Sequence, residues 1–298
     1  MAKLSSAAKP RVACEIAADR VIAGRVAEIG GMLDTCVSEE LSPGSVVPDL
    51  VEANLRERNS VSQALRSALG TVSGRNRDVI AVLPDAAVRV VLLDFDSLPA
   101  SRVEAEAVVR FRLKKSLPFD VDKARVSYQS QTSTTSGLRV IAAVALTTVV
   151  DDYESIFREA GYSPGIVLPS MLAALGVAKS NGPTLVVKVD ARTTSIAIMD
   201  KQQLLLFRTL ENARGVTITG EQLAEEVYPS VVFFQDTYHM NIDRIFVAGV
   251  SDLANAAPAL RAQTGAEVEE LVGSSQLGGT VVSVPKWRTA GVLGALLS

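Results

Sequence analysis

In the segment 184-TLVVKVDARTTSIAIMD-200, two apolar runs flank a short polar turn. The valine and isoleucine content of the segments predicts two strands joined as a hairpin. The turn contains Arg192, Thr193 and Thr194, a polar composition typical of hairpins that bind phosphate in nucleotide-dependent folds. It lacks glycine, however, and Lys188 stands where such a hairpin would carry an acid. The hairpin shape therefore favours a phosphate-binding site, whereas the residues of the hairpin do not.

The composition narrows the class of protein. The 298 residues are 48% hydrophobic and 5% aromatic, which suffices for two domains with well-filled cores. Thirty basic and 33 acidic residues leave a net charge of -3, so no global positive field would attract nucleic acid or an anionic membrane. No signal-peptide pattern is visible, and the longest apolar run, 140–150, is about half of a membrane span. We expect a cytoplasmic protein that does not bind nucleic acid.

Few side chains suit metal or hydrolytic chemistry. Cys14 and Cys36 lie in apolar, strand-like segments without zinc-site spacing, so we expect buried free thiols and no metal site. The single histidine, His239, lies at the end of a predicted helix, where a capping role is favoured. Most hydrolytic schemes therefore lack their usual general base, and we expect no catalytic residue.

An architectural repeat organises the chain. Three strands, a helix and a strand are predicted at 11–17, 20–29, 32–41, 59–72 and 77–84, and the same order recurs at 184–190, 193–200, 202–210, 219–240 and 243–249. The repeat predicts an α/β protein with two duplicated β-β-β-α-β-α halves that face each other across a cleft, at 1–180 and 184–298. A small α+β subdomain is predicted as an insertion in the first half at about 88–148.

Duplicated halves with an insertion in the first are the plan of the actin-like, ribonuclease-H-like fold, shared by actin, sugar kinases, Hsp70 chaperones and FtsA. Within that fold, segment 106–129 resembles the type IV pilus assembly protein PilM. The PilM insertion has a helix ending in a proline-phenylalanine step, an acidic turn and a strand ending in an aromatic residue. The matching positions here are Leu117, Pro118, Phe119, Asp120, Asp122 and Tyr128. The cytoplasmic part of the secretion protein GspL has a similar plan, and FtsA is a more distant relative.

The resemblance implies a scaffold of a type IV pilus or a related type II secretion machine. Such a protein would bind ATP between its halves and hold the cytoplasmic tail of an inner-membrane, PilN-like partner in a groove beside the inserted subdomain. It would be recruited to the inner face of the membrane by that partner, with other pilus or secretion components as further partners. Whether it forms homo-oligomers is left open.

The partner groove is expected between the first half and the insertion. Its candidate residues are Phe111, Leu113, Leu117, Phe119 and Val121, which could accept an apolar peptide. Alternatively these residues form the core of the insertion itself, and for Phe111 and Leu117 the core assignment is favoured.

The nucleotide site expected from the resemblance departs from the actin-like pattern. Each of its two hairpins normally carries acid-x-Gly, because the acid helps to hold hydrated magnesium and the glycine admits phosphate to the backbone. In the first hairpin Glu15 supplies the acid, but Ala17 replaces the glycine. In the second, Lys188 replaces the acid and Asp190 replaces the glycine. A carboxylate ~4 Å from a phosphate would repel it by about 1 kcal/mol in water and by more in a cleft.

The adenosine loop is also altered, since Gly249 is followed by a valine and then Ser251 where two or more glycines are usual. Two interpretations remain: an altered phosphate site using Lys188 and Arg192 with the hydroxyls of Thr193 and Thr194, or ordinary hairpin polarity. We expect no cofactor, with Mg-ATP as the alternative.

The alternative function is an active ATPase or a sugar or carboxylate kinase of the same superfamily. Its nearby candidate acids are Asp190 and Asp200, and neither follows the expected pattern.

The duplication predicts one specific contact. Glu15 and Lys188 occupy equivalent positions on facing strands, so their side chains should meet across the cleft as a salt bridge. That salt bridge would place the ammonium group of Lys188 where the actin-like pattern has its magnesium ion.

Overall fold

The computed structural model describes residues 9–28, 31–132, 137–212 and 214–298. The first half opens with β1 (Val12–Ile16), β2 (Arg20–Val26), β3 (Leu33–Glu40), α1 (Arg58–Val72) and β4 (Asp78–Leu83). The second opens with β9 (Thr184–Val189), β10 (Thr193–Asp200), β11 (Gln203–Glu211), α5 (Gly220–Tyr238) and β12 (Arg244–Ala248). In both, the first three strands are antiparallel neighbours and the fourth runs parallel to the first. The predicted repeat of β-β-β-α-β is confirmed.

The central strands explain why these segments read as apolar runs. Every residue of β1 and of β9 is buried, and each strand has a neighbour on both sides. A strand covered on both faces needs apolar residues at successive positions instead of alternating ones. A buried charged residue in such a strand therefore requires a partner. Cys14 and Cys36 are buried free thiols, as predicted.

The inserted module consists of β5 (Arg89–Phe95), α2 (Arg102–Leu113), β6 (Ala124–Thr132) and β7 (Leu138–Leu146). Its strands form a three-stranded sheet in the order β5-β7-β6, and α2 buries Ala105, Val109 and Leu113 in the core of the module. These positions recur every four residues and so lie on one helix face. The chain then returns through α3 (Thr147–Glu159), β8 (Ser163–Pro169) and α4 (Ser170–Ala174).

The C-terminal elements are α6 (Leu253–Thr264), β13 (Glu267–Glu270), β14 (Leu277–Val282) and α7 (Ala290–Leu297). β14 pairs with β3 of the first sheet, and α7 packs on α4 and on β1. Since α7 is apolar all round, it is buried all round. The domain boundaries 1–180 and 184–298 remain a prediction. Although β14 and α7 come after residue 184, both pack on the sheet of the first half.

A shared core joins the two sheets. It combines residues of the first sheet such as Ala13 with residues of the second such as Val186 and Phe246, and α4 and α7 contribute Met171 and Leu293. None of the helices in the described part of the chain is both long enough and apolar enough to cross a membrane.

Candidate functional site

The turns of the β1–β2 and β9–β10 hairpins face each other between the two sheets. The predicted contact between them is confirmed, because the Nζ of Lys188 lies 3.4 Å from the Oε1 of Glu15. Lys188 is 5% exposed and Glu15 is 3% exposed, so this ion pair is almost fully removed from water. The hydroxyl of Ser170, the first residue of α4, donates a hydrogen bond to the same carboxylate.

Lys188 has a second acidic partner on its own strand. Its ammonium group donates a hydrogen bond to the carboxylate of Asp190, the residue at the expected glycine position. The other oxygen of Asp190 lies 3.5 Å from the guanidinium of Arg20, and Arg20 is 2.5 Å from Asp19 in the first hairpin. Each of the two cations, Lys188 and Arg20, therefore lies between two carboxylates.

The buried charged groups shift one another's pKa values. Burial alone would lower the pKa of Lys188, but the negative charges of Asp190, Glu15 and Asp85 outweigh it and raise this pKa above its ordinary value. Burial alone would raise the pKa of Asp190, yet Lys188 and Arg20 hold it below its ordinary value. Both groups are therefore charged at neutral pH.

Asp85 is a member of this cluster that the sequence analysis missed. It lies two residues beyond the end of β4, is 3% exposed, and accepts hydrogen bonds from the backbone N–H of Met171 and the hydroxyl of Ser195, each at 2.8 Å. Ser195 belongs to the second half, so Asp85 is another polar link between the halves. Burial raises the pKa of Asp85 to about 6, although the charge of Lys188 opposes the shift. The sequence pattern that could have identified Asp85 is an acid that follows an apolar strand and Pro84.

Little room remains between the hairpin tips. The cavity there has a volume of about 10 Å³ and is lined by Glu15, Ala17, Pro84 and residues 190–193. That is about the space of a single water molecule, whereas pockets for small ligands measure roughly 300–1,000 Å³. From the side of α7, a Cβ atom added at Gly291 would lie 2.5 Å from the Oε2 of Glu15, so the helix backbone packs tightly on the carboxylate.

The predicted adenosine loop packs against protein backbone. Gly249 has φ +82°, and its N–H donates a hydrogen bond of 2.7 Å to the carbonyl oxygen of Trp287. A Cβ at this position would overlap the carbonyl oxygen of Val189. The need for glycine at this position thus comes from its close approach to the backbone of β9. Ser251 is exposed two residues further on.

The remaining candidate residues for nucleotide binding in the second hairpin differ in their exposure to solvent. Thr193 and Thr194 are buried, and the hydroxyl of Thr194 accepts a hydrogen bond of 3.2 Å from the side chain of Asn212. Arg192 is exposed. The structure therefore brings Glu15, Lys188 and Asp190 together in one cluster and leaves Arg192 outside it.

The five apolar candidates for the partner groove do not share one surface. Leu113 and Val121 are buried in the core of the inserted module, and Leu117 and Phe119 are partly buried against that core. The core assignment favoured for Leu117 is confirmed. For Phe111 it is wrong, because this side chain is 71% exposed on the face of α2 opposite the buried stripe.

A groove between the first half and the inserted module is lined by other residues. It lies between β6 and β8, which are the edge strands of the module sheet and of the first sheet in the described part of the chain. A cavity of about 260 Å³ occupies it. The lining is mostly apolar and includes Val88, Val126, Ser127, Ala143, Ala145, Val150, Val167 and Leu168.

Two duplicated sheets with an inserted module in the first half define the actin-like ATPase fold. In solved structures, the chain is similar to one in the PilM-PilN type IV pilus biogenesis complex, with 19% identity and a TM-score of 0.79 over 97% of this chain and 98% of that chain. The PilM-like fold expected from the sequence is confirmed.

Two further structures share the fold more loosely. One is the cytoplasmic domain of EpsL, an inner membrane component of the type II secretion system of Vibrio cholerae, with 9% identity and a TM-score of 0.52 over 96% of this chain and 92% of that chain. The other is a Bacteroides thetaiotaomicron protein with an actin-like ATPase fold and unknown function, with 10% identity and a TM-score of 0.51 over 90% and 93%. No protein-family model and no curated protein sequence matches the chain.

Proposed function

We propose that the protein is a cytoplasmic scaffold of a type IV pilus or a related type II secretion machine. In this role it binds the cytoplasmic tail of a PilN-like inner-membrane protein and is thereby recruited to the inner face of the membrane. The proposal rests on the β6–β8 groove, in a fold similar to that of a chain in the PilM-PilN type IV pilus biogenesis complex.

The chemistry of the groove fits a peptide tail. Two edge strands offer backbone N–H and C=O groups to an extended segment, and an apolar floor accepts alternate side chains. Val126 of β6 and Val167 of β8 are both partly exposed in the groove. A short apolar tail would bury these side chains, whereas a folded domain would not enter a cavity of about 260 Å³.

We also propose that the nucleotide site is degenerate. The residues present do not fit Mg-ATP, because Lys188 is already neutralised by Glu15 and Asp190, and the space between the hairpins is about 10 Å³. The backbone N–H of Gly249, which would face the adenosine, is already hydrogen-bonded to the carbonyl oxygen of Trp287. A scaffold that works through a peptide groove does not require the nucleotide.

The alternative, an active ATPase or kinase, lacks a suitable acid among its candidates. Asp190 is bonded to Lys188 and lies 3.5 Å from Arg20. Asp200 ends β10, seven residues beyond Thr193 and hence roughly 23 Å from the hairpin turn. Neither carboxylate is placed to activate a substrate held between the hairpins.

The test is a fluorescence anisotropy titration with a labelled peptide that carries the cytoplasmic tail of the PilN-like protein from the same organism. Ser127→Arg places a long side chain in the β6–β8 groove from an exposed position, and we expect it to weaken binding at least about tenfold. Gln129→Arg is the matched control, since Gln129 is an exposed residue of the same strand and does not line the groove.

The scaffold proposal predicts that wild type and Gln129→Arg bind the tail equally well. Absence of tail binding by the wild-type chain would overturn it. Equal binding by Ser127→Arg would place the tail site elsewhere and overturn the groove assignment.

A further inference from the structure

A second groove lies on the other side of the inserted module, between β5 and β11. Two adjoining cavities of about 390 and 600 Å³ form it, and both are lined by Arg89 and Val90 of β5 and by Phe207 and Arg208 of β11. We call this surface the β5–β11 groove. It lies along the contact between the inserted module and the second half, where β5 and β11 approach each other, and it shares only Val88 with the lining of the cavity between β6 and β8.

Both walls of this groove include strand edges. β5 is an edge strand of the module sheet and β11 is an edge strand of the second sheet, within the part of the chain that the structure describes. The larger cavity follows β11 from Leu205 to Arg208, and the smaller one continues from Phe207 to Glu211. Residues 205–211 of this edge strand, roughly 23 Å, thus border the groove. The carbonyl oxygen of Leu205 already accepts a hydrogen bond of 3.2 Å from the hydroxyl of Tyr238, so the free part of the edge begins at residue 206. An extended segment of six or seven residues matches that length.

One side chain already uses the edge of β11 as a strand would. The side-chain amide of Gln131 donates to the carbonyl oxygen of Leu204 at 2.6 Å and accepts from its N–H at 3.1 Å. This is the pair of hydrogen bonds that a neighbouring peptide makes with a strand edge. The edge of β11 at the end of the groove therefore accepts amide groups in the geometry of sheet pairing.

The charge of the groove is positive in its middle. Arg89 and Arg208 are exposed, and neither forms an ion pair with any residue that the structure describes. The acids of the lining are engaged or distant. Asp94 is paired with Arg139, Asp85 is hydrogen-bonded and buried, and Glu211 lies at the far end.

We propose that the β5–β11 groove binds an extended acidic segment of a partner protein. The segment adds to the edge of β11 through backbone hydrogen bonds, and its carboxylates pair with Arg89 and Arg208. Two guanidinium groups near the middle of the groove have no carboxylate partner in the described part of the chain, although that of Arg208 donates a hydrogen bond of 3.3 Å to the hydroxyl of Ser230. They distinguish this site from the apolar groove between β6 and β8. The scaffold would accordingly hold two different peptides, one on each side of its inserted module.

The probe is a fluorescein-labelled octapeptide of alternating glutamate and valine, titrated with the full chain and followed by anisotropy. We expect saturable binding that the double variant Arg89→Glu/Arg208→Glu weakens at least about tenfold. The double variant Arg66→Glu/Arg75→Glu is the matched control, because both arginines are exposed, neither lines the groove, and the net charge changes by the same amount. An octapeptide of alternating lysine and valine should not bind.

Hydrogen exchange locates the peptide. Protection by the glutamate–valine peptide is expected on backbone amides of 205–211, and Ser127→Arg should leave both the affinity and the protection unchanged. Failure of tail binding in the other groove would therefore not count against this site. No binding of the acidic peptide, equal binding by the double variant, or protection confined to other strands would overturn the proposal. So would displacement of the peptide by inorganic phosphate at equal concentration, which would indicate a small-anion site.

Discussion

The Nζ of Lys188 in β9 lies 3.4 Å from the Oε1 of Glu15 in β1, so a buried ion pair joins the central strands of the two sheets. In the actin-like pattern, the acid of the first hairpin helps to hold a hydrated magnesium ion. Here the carboxylate of Glu15 is paired instead with the ammonium group of Lys188. The hairpins are held together by protein charges, in keeping with a scaffold whose halves keep one arrangement.

Removing the ammonium group should be costly. Lys188→Met leaves Glu15 and Asp190 buried without their shared cation, and breaking a buried pair in this way typically costs about 3–5 kcal/mol of unfolding free energy. Urea denaturation of wild type and variant measures the loss. Lys179→Met, at an exposed position, should change the stability by less than about 0.5 kcal/mol.

A double-mutant cycle separates the ion pair from general packing. Glu15→Gln combined with Lys188→Met should lose less stability than the sum of the single variants, with a coupling energy of at least about 1 kcal/mol. Strict additivity would mean that the two side chains do not stabilise each other.

Asp85 should make stability depend on pH in the acidic range. Its pKa in the folded chain is about 6, above the ordinary value of 3.8 expected after unfolding. Between those values the folded state binds more protons than the unfolded state, so its stability decreases as pH rises from about 4 to about 6. The difference between the two pKa values corresponds to roughly 3 kcal/mol.

Asp85→Asn tests this directly, because the amide keeps the shape and an acceptor for Met171 but does not titrate. In urea unfolding at several pH values, wild type should lose stability relative to the variant as pH rises from about 4 to about 7. A constant difference across that range would show that the carboxyl group does not titrate there.

Gly249→Ala should be strongly destabilising. The added Cβ would overlap the carbonyl oxygen of Val189 at a φ of +82°. Gly265 provides the matched control, since it has φ +73° and no atom of the described residues lies within 4 Å of an added Cβ. Gly265→Ala should cost only the backbone strain, about 1–2 kcal/mol, and Gly249→Ala at least about 2 kcal/mol more. Similar melting temperatures for the two variants would contradict the close packing.

Mg-ATP should not stabilise the protein. A ligand present at 100 times its dissociation constant adds about 2.7 kcal/mol to the unfolding free energy, which would raise the melting temperature by several degrees. With about 10 Å³ between the hairpins, we expect a shift below about 1 °C at millimolar Mg-ATP. A concentration-dependent rise would reinstate the nucleotide site and the alternative enzymatic function.

The features of the fold and the site that the sequence predicts depend on local residue patterns and on the duplication. Runs of buried apolar residues predicted β1 and β9, and their recurrence predicted two equivalent hairpins. From that equivalence followed the pairing of Glu15 with Lys188, although 173 positions separate them. His239 also ends α5 as expected, with the left-handed φ of 54° that a helix cap often adopts.

Local residue patterns suffice for the order of the elements, the duplicated fold and the departure of the hairpins from the phosphate-binding pattern. Only the packing of whole elements establishes the partners of Asp85, the outward orientation of Phe111, the return of α7 to the first sheet and the position of Arg208 opposite β5. Periodicity reports which face of an element is buried, whereas contacts between remote side chains depend on how whole elements pack, and neither the edges nor the grooves between sheets exist before that packing.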